Sequence, residues 1–215
     1  MAGSSRKKSL TSRDLQAIER KQQLLESARD LFAEKGFHNT SSKEINRSIG
    51  MADGLLYYYF PEGKQQILDS IIQEATEYKF QLIRRLLQDV DQQATIRDML
   101  INLFRGMWET VTSDTNRKTL MILFHEQPLL KKEQTTWVVD TFHAVIDQIA
   151  TLLEKRVLNG ELRPLNCKLM ARQLANTFQS HIFERVFIMG EYELNEDSER
   201  YIIVNIDFLL ECWQI

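Results

Sequence analysis

Residues 40–60, Thr40-Ser41-Ser42-Lys43-Glu44-Ile45-Asn46-Arg47-Ser48-Ile49-Gly50-Met51-Ala52-Asp53-Gly54-Leu55-Leu56-Tyr57-Tyr58-Tyr59-Phe60, read as two short helices joined by a tight turn. Hydroxyl residues open the first, where a side-chain oxygen can accept from the otherwise unpaired N–H groups of a first turn. Glu44 stands three residues after Ser41, the reciprocal capping-box spacing, and Ile45 and Ile49 repeat four apart on one face. Gly50-Met51-Ala52 makes the connection to the next helix, in which Leu56 and Phe60 again stand four apart. Pro61-Glu62-Gly63 ends that helix and another opens at Lys64.

Helical periodicity continues on both sides. Upstream, Leu24, Leu25, Ala28, Leu31 and Phe32 predict a helix from about Asp14 to Lys35, stopped by Gly36. The Ser-, Lys- and Arg-rich residues 1–13 have no apolar period and read as a flexible basic arm. Downstream, Ile67, Leu68, Ile71, Ile72 and Ala75 predict a long helix from Lys64 to about Val90, connecting a first bundle to a second. Further helices are expected near Ala94–Val111, Arg117–Gln127, Lys132–Leu158, Asn166–Met189 and Glu196–Gln214, with Pro128 and Asn159-Gly160 as stops. The expected fold is all-α. Residues 14–66 form a three-helix helix-turn-helix domain, and residues 67–215 a helical domain for ligand binding and dimerisation.

Composition agrees with that plan. With 8 Gly and 3 Pro in 215 residues, and straight-chain helix formers abundant, turns are few. No apolar run approaches the roughly 18 residues of a membrane span, and the basic N-terminus has no apolar stretch behind it, so a cytoplasmic protein without membrane association is expected. Cys167 and Cys212 have no metal-binding spacing. Residues 1–64 hold 11 Lys/Arg against 8 Asp/Glu, whereas the remainder holds 16 against 22. A cationic excess confined to one end is the footprint of a nucleic-acid-binding module.

The residue types at 40–60 suit that task. Helix N-termini and hydroxyls bind phosphate oxygens, which places Thr40, Ser41 and Ser42. Tyr57 and Tyr59 can reach phosphates while their rings pack, and Gly54 has no side chain to hold the backbone away from a base edge. Three consecutive tyrosines cannot all face one core, because neighbours on a helix point about 100° apart, so Tyr58 or Tyr59 should project outward. Lys43 can donate to guanine O6 and N7 in the major groove. Asp53 either accepts from a cytosine amino group or caps the third helix, and capping is the preferred reading.

Residues from about Gln22 to Leu68 resemble the DNA-binding signature of the tetracycline-repressor (TetR) family, with hydroxyls opening the second helix, Gly at the turn, a Gly-x-Leu-Tyr-x-Tyr-Phe third helix and a Lys opening the fourth. Gly160-Glu161-Leu162-Arg163-Pro164 resembles a connection common before the penultimate helix of these proteins. The resemblance implies phosphate contacts for Ser42, Tyr57, Tyr59 and Lys64, and base-facing positions for Lys43, Asp53, Gly54 and Leu55. Asp53 departs from the Ser, Lys or Gln often found there, and Pro61-Glu62-Gly63 adds a residue before Lys64. Further implications are a double-stranded operator as partner, a small-molecule inducer bound among the C-terminal helices, and no cofactor.

In the second half, Phe104, Met107, Trp108, Met121, Phe124, Trp137, Phe142 and Phe178 are candidates for an apolar ligand pocket, against the alternative of plain core. The last helix is apolar on two stripes, Ile202, Ile206, Leu209 and Trp213 on one and Tyr201, Val204 and Phe208 on the other. A terminal helix of this kind needs two neighbours, one of them a partner subunit. Ile182, Val186, Ile202, Ile206, Phe208, Leu209 and Trp213 are therefore expected at a homodimer interface. The rival reading is an all-helical enzyme or metal protein using Asp140, His143, His181 and Glu184. It has no paired Glu-x-x-His repeat, Gly-x-Ser-x-Gly elbow or zinc-protease helix behind it.

Overall fold

The computed structural model describes residues 11–74 and 94–214, and for residues 137, 138 and 141 the backbone only. Among the described residues all regular structure is helical, apart from one isolated bridge between Leu162 and Gln214. The chain divides into two compact units. The first comprises residues 11–73 with 118–127, and the second the remaining described residues.

In the first unit α1 spans Ser12–Lys35, α2 Ser42–Ser48, α3 Leu56–Tyr59, and α4 starts at residue 64 and is helical through residue 74. α1 begins earlier than its apolar period suggests. Thr11 and Asp14 form a capping box, so the last residues of the expected arm are a cap and a first turn, while residues 1–10 lie outside the described residues. The capping box read at the head of α2 is present: Ser41 Oγ accepts from Glu44 N at 3.2 Å and Glu44 Oε2 from Ser41 N at 2.8 Å. Hydrogen bonds donated to the carboxylate by the Ser41 main-chain N–H and by its hydroxyl, with Lys35 adding a smaller effect, hold the Glu44 carboxyl below its ordinary pKa. Gly36 ends α1 at φ +81°, a conformation that would strain any side chain. Leu24, Leu25, Ala28, Phe32, Ile45, Leu56, Phe60, Ile67 and Leu68 form the buried centre. The continuation of α4 towards Val90 lies outside the described residues.

The second unit holds α5 (Ile96–Thr112), α7 (Lys132–Leu158), α8 (Cys167–Ile182) and α9 (Glu196–Trp213), with the start of α6 (Asp114–His125), whose remainder belongs to the first unit. Leu100, Phe104, Ile149, Leu153, Leu174, Phe178 and Ile206 are completely buried at its centre. α8 ends sooner than its periodicity implies. Residues Phe183–Ile188 widen into a π turn, a form that recurs at functional positions. The Gly160–Pro164 connection is fixed at both ends: Arg156 Nη1 donates to both carboxylate oxygens of Glu161 at 3.0 and 2.9 Å, and Arg163 N donates to Trp213 O at 2.8 Å. No helix among the described residues is long and apolar enough to cross a membrane.

Candidate nucleic-acid interface

α2 has one face inward and one outward because Ile45 and Asn46 are buried while Lys43 and Arg47, four residues apart, are not. The side chains of Lys43 and Arg47 are 69% and 70% exposed, and both approach the same oxygen, Asp53 Oδ2, at 3.7 Å. Asp53 does not cap α3. Leu55 occupies the N-cap with no side-chain bond, and the first N–H of the helix, Leu56 N, donates instead to the buried Asn46 Oδ1 at 3.1 Å. The turn delivers the Asp53 carboxylate to the cations of α2 instead. Neither Asn46 nor Arg47 was expected at the site. Arg47 is legible afterwards as the i+4 neighbour of Lys43, whereas the capping role of Asn46 depends on how α2 and α3 cross.

The tyrosines sort differently from their numbering. Tyr57 and Tyr58 are exposed and Tyr59 is half-buried with its ring edge-on to Tyr58, centroids 5.0 Å apart. So Tyr58 projects outward as expected, but its outward companion is Tyr57. The hydroxyls of Tyr57 and Ser42 meet at 3.4 Å, joining the outer faces of α3 and α2. Gly63, at φ +68°, lies under the Tyr57 ring, where a Cβ would come within 3.1 Å of Cε1. Leu55 is partly exposed, and Gly54 has φ +94° with nothing within 4 Å of a built Cβ, so its immediate reason for being glycine is backbone conformation.

Two residues assigned to phosphate are engaged internally. Thr40 is buried, and its Oγ1 donates towards Gly36 O at 2.9 Å and Leu31 O at 3.3 Å. The Lys64 ammonium points at three main-chain carbonyls, Phe37 O at 2.7 Å, Thr40 O at 3.0 Å and His38 O at 3.4 Å, and lies 4.3 Å from the Phe37 ring centroid. An ammonium has three protons, so all of Lys64's are directed at the loop entering α2. Of the expected DNA-facing residues, Lys43, Asp53, Gly54, Leu55, Tyr57 and Tyr58 are exposed alongside Arg47, Ser42 and Tyr59 are half-buried, and Ser41 caps α2.

The other sequence candidates disperse. Phe104, Trp108 and Phe178 are buried against one another, with Phe104 5.2 Å from Phe178 and 5.9 Å from Trp108 between ring centroids. Met107 packs half-buried on the same core, while Phe142 is exposed. Met121 and Phe124 fall in the first unit, and the Trp137 side chain lies outside the described residues. His181 joins the aromatic core, stacked on Tyr201 at 4.6 Å, and burial pushes its imidazole pKa down, with Arg185 adding to the effect. Asp140, His143 and Glu184 are exposed, and among the described residues no three His, Cys, Asp or Glu stand together to hold a metal. The rival metal reading therefore finds no assembled site. Of the expected dimer residues, Ile182 and Val186 are core of their own unit, and so are Ile202, Ile206, Leu209 and Trp213, the stripe that α9 turns inward. Phe208 alone of the set faces outward, together with Tyr201 and Val204.

Residues 24–71 match the model of the bacterial regulatory proteins of the tetR family, and residues 98–213 match that of the C-terminal domain of AefR-like transcriptional repressors. The chain is 24% identical over 174 residues to the fatty acid metabolism regulator protein of Bacillus subtilis, covering 80% of this chain and 86% of that one. It is 21% identical over 206 residues to the HTH-type transcriptional regulator AcrR of Shigella flexneri, covering 92% of each. Its fold superposes on the ketosteroid transcriptional regulator KstR2 of Mycobacterium tuberculosis with a TM-score of 0.63 at 21% identity, covering 91% of this chain and 95% of that one.

Proposed function

Because the chain belongs to the TetR family of bacterial transcriptional regulators, we propose that it acts as a repressor: a homodimer seats two α2–α3 heads on a palindromic operator and is released by a small, largely apolar ligand. The observation that carries the reading is the outer surface of α2 and α3, where Lys43, Arg47, Tyr57 and Tyr58 stand exposed, with the half-buried Ser42 hydroxyl beside that of Tyr57. Cations and hydroxyls there supply phosphate contacts, and a short helix behind a turn suits entry into a major groove. Two heads require a dimer, and the exposed stripe Tyr201, Val204 and Phe208 on α9 is the surface proposed for it. The ligand would bind in the second unit, 94–117 with 128–214. An apolar ligand is supported by relatives named for fatty acid metabolism and ketosteroids.

Repression is tested by a gel shift on the DNA flanking the protein's own gene, followed by ligand titration on tryptophan fluorescence with and without that DNA. Trp108, whose Nε1 donates to Tyr192 O at 3.2 Å, is the reporter. An inducer must bind the DNA-free protein more tightly, by about 5- to 150-fold on the usual scale of such coupling. Equal affinity in the two titrations would mean the bound molecule is no inducer. Failure to shift any duplex at low salt would remove the repressor reading itself.

A further inference from the structure

We propose that Asp53 is a specificity determinant: its carboxylate holds Lys43 and Arg47 back from random DNA and releases them at a base pair that offers a cytosine amino group. The inference rests on α2 and α3 forming the DNA-contacting surface.

One carboxylate oxygen faces two cations on successive turns of α2, at 3.7 Å from each, and all three groups are substantially exposed. Pairs this long and this wet are weak and exchange readily, so the cations are held without being locked. Locally the three charges sum to a single positive one, where Lys43 and Arg47 alone would present two. A polyanion approaching at random must either displace the carboxylate or accept a negative charge beside its phosphates, and either weakens sequence-independent binding.

The turn bearing Asp53 leads directly into α3, and its neighbour Gly54 carries no side chain to cover it. In the major groove cytosine presents N4–H₂, a donor suited to a carboxylate, and its partner guanine presents two acceptors suited to Lys or Arg. At a C·G pair the carboxylate therefore exchanges two weak ion pairs for a hydrogen bond, while Lys43 and Arg47 become free for the guanine edge and the adjacent phosphates. Adenine also has an amino donor, but the N7 acceptor beside it repels a carboxylate, so discrimination favours cytosine.

The test uses the full chain with Asp53→Asn, Asp53→Ser and, as a control of equal charge change, Glu34→Gln, an exposed carboxylate on α1. Each protein is titrated with a random-sequence duplex across a salt series, and each is used to select from a pool of randomised duplexes. Both Asp53 variants should bind the random duplex more tightly, with a salt slope steeper by about 1 to 2 for each head as the freed cations engage phosphates. Glu34→Gln should match the wild type. Selection by the wild type should enrich C·G at one position of each half-site, and Asp53→Asn should lose that preference or move it towards A·T. Unchanged slopes in both Asp53 variants, an equal change in Glu34→Gln, or the same selected base in wild type and Asp53→Asn would each overturn the proposal. If no protein in the series, wild type included, binds any duplex at low salt, the DNA-binding assignment falls with it.

Discussion

Glu126 Oε1 accepts a hydrogen bond from Phe37 N at 2.9 Å, across 89 residues of sequence, with both residues buried. The bond closes the loop between α1 and α2, which Lys64 grips from the other side through the carbonyls of Phe37, His38 and Thr40. Helix α2 thus starts from a loop whose main chain is satisfied by a carboxylate from the turn that follows α6 and by an ammonium from the start of α4. A Cβ on Gly36 would come within 3.3 Å of the same Glu126 oxygen.

Glu126→Ala leaves Phe37 N–H buried without its acceptor and should destabilise the protein by about 1 to 3 kcal/mol. Glu126→Gln keeps an amide oxygen in place and should lose much less. Urea unfolding of the two variants checks this. Equal losses would show that the charge, rather than the acceptor, matters.

Lys64 and Lys43 should fail in opposite ways. Lys64→Met removes an ammonium bonded to three carbonyls and should cost about 1.5 to 3 kcal/mol of stability while leaving the salt slope of DNA binding unchanged. Lys43→Ala, at an exposed position, should leave the unfolding free energy within about 0.5 kcal/mol of the wild type and relax discrimination at one base pair by about 1 to 3 kcal/mol. Tyr57→Phe should weaken binding to every sequence alike, since a phosphate contact carries no base information. A shallower salt slope in Lys64→Met would return that lysine to the phosphate contacts.

On α9 the two apolar stripes separate folding from assembly. Ile206 is completely buried and Phe208 is 61% exposed, so Ile206→Glu should unfold the second unit, whereas Phe208→Glu with Val204→Lys should give a folded monomer. Circular dichroism with sedimentation distinguishes the outcomes. A wild-type monomer at micromolar concentration would remove the proposed interface.

His181 supplies a pH dependence of stability. Burial is the larger cause of its lowered pKa and Arg185 the second, opposed by Glu184 and Glu191. Folding therefore favours the neutral ring, and the unfolded chain takes up the proton first as pH falls. Its contribution is complete above the ordinary histidine value of about 6.5 and declines as pH drops from there through the lowered folded value. Wild-type thermal stability should fall across that window, and His181→Phe, which keeps an aromatic ring against Tyr201, should flatten this part of the profile. An unchanged slope in the variant would assign the effect to other groups.

What the sequence by itself determined is local. The capping box of Ser41 and Glu44, the stops at Gly36 and Gly160, the extent of α7 and the two stripes of α9 follow from spacing and chain stereochemistry within a few residues. What the tertiary structure decided is which way long polar side chains turn. Lys64 turns inward to carbonyls 24 to 27 residues away, Asn46 caps α3, Asp53 joins Lys43 and Arg47, and the α9 stripe carrying Ile206 faces its own core. Periodicity fixes the faces of each helix, but a lysine or asparagine on a boundary goes to whichever partners the crossing of helices brings within bonding distance, and that crossing is set by packing of the whole unit.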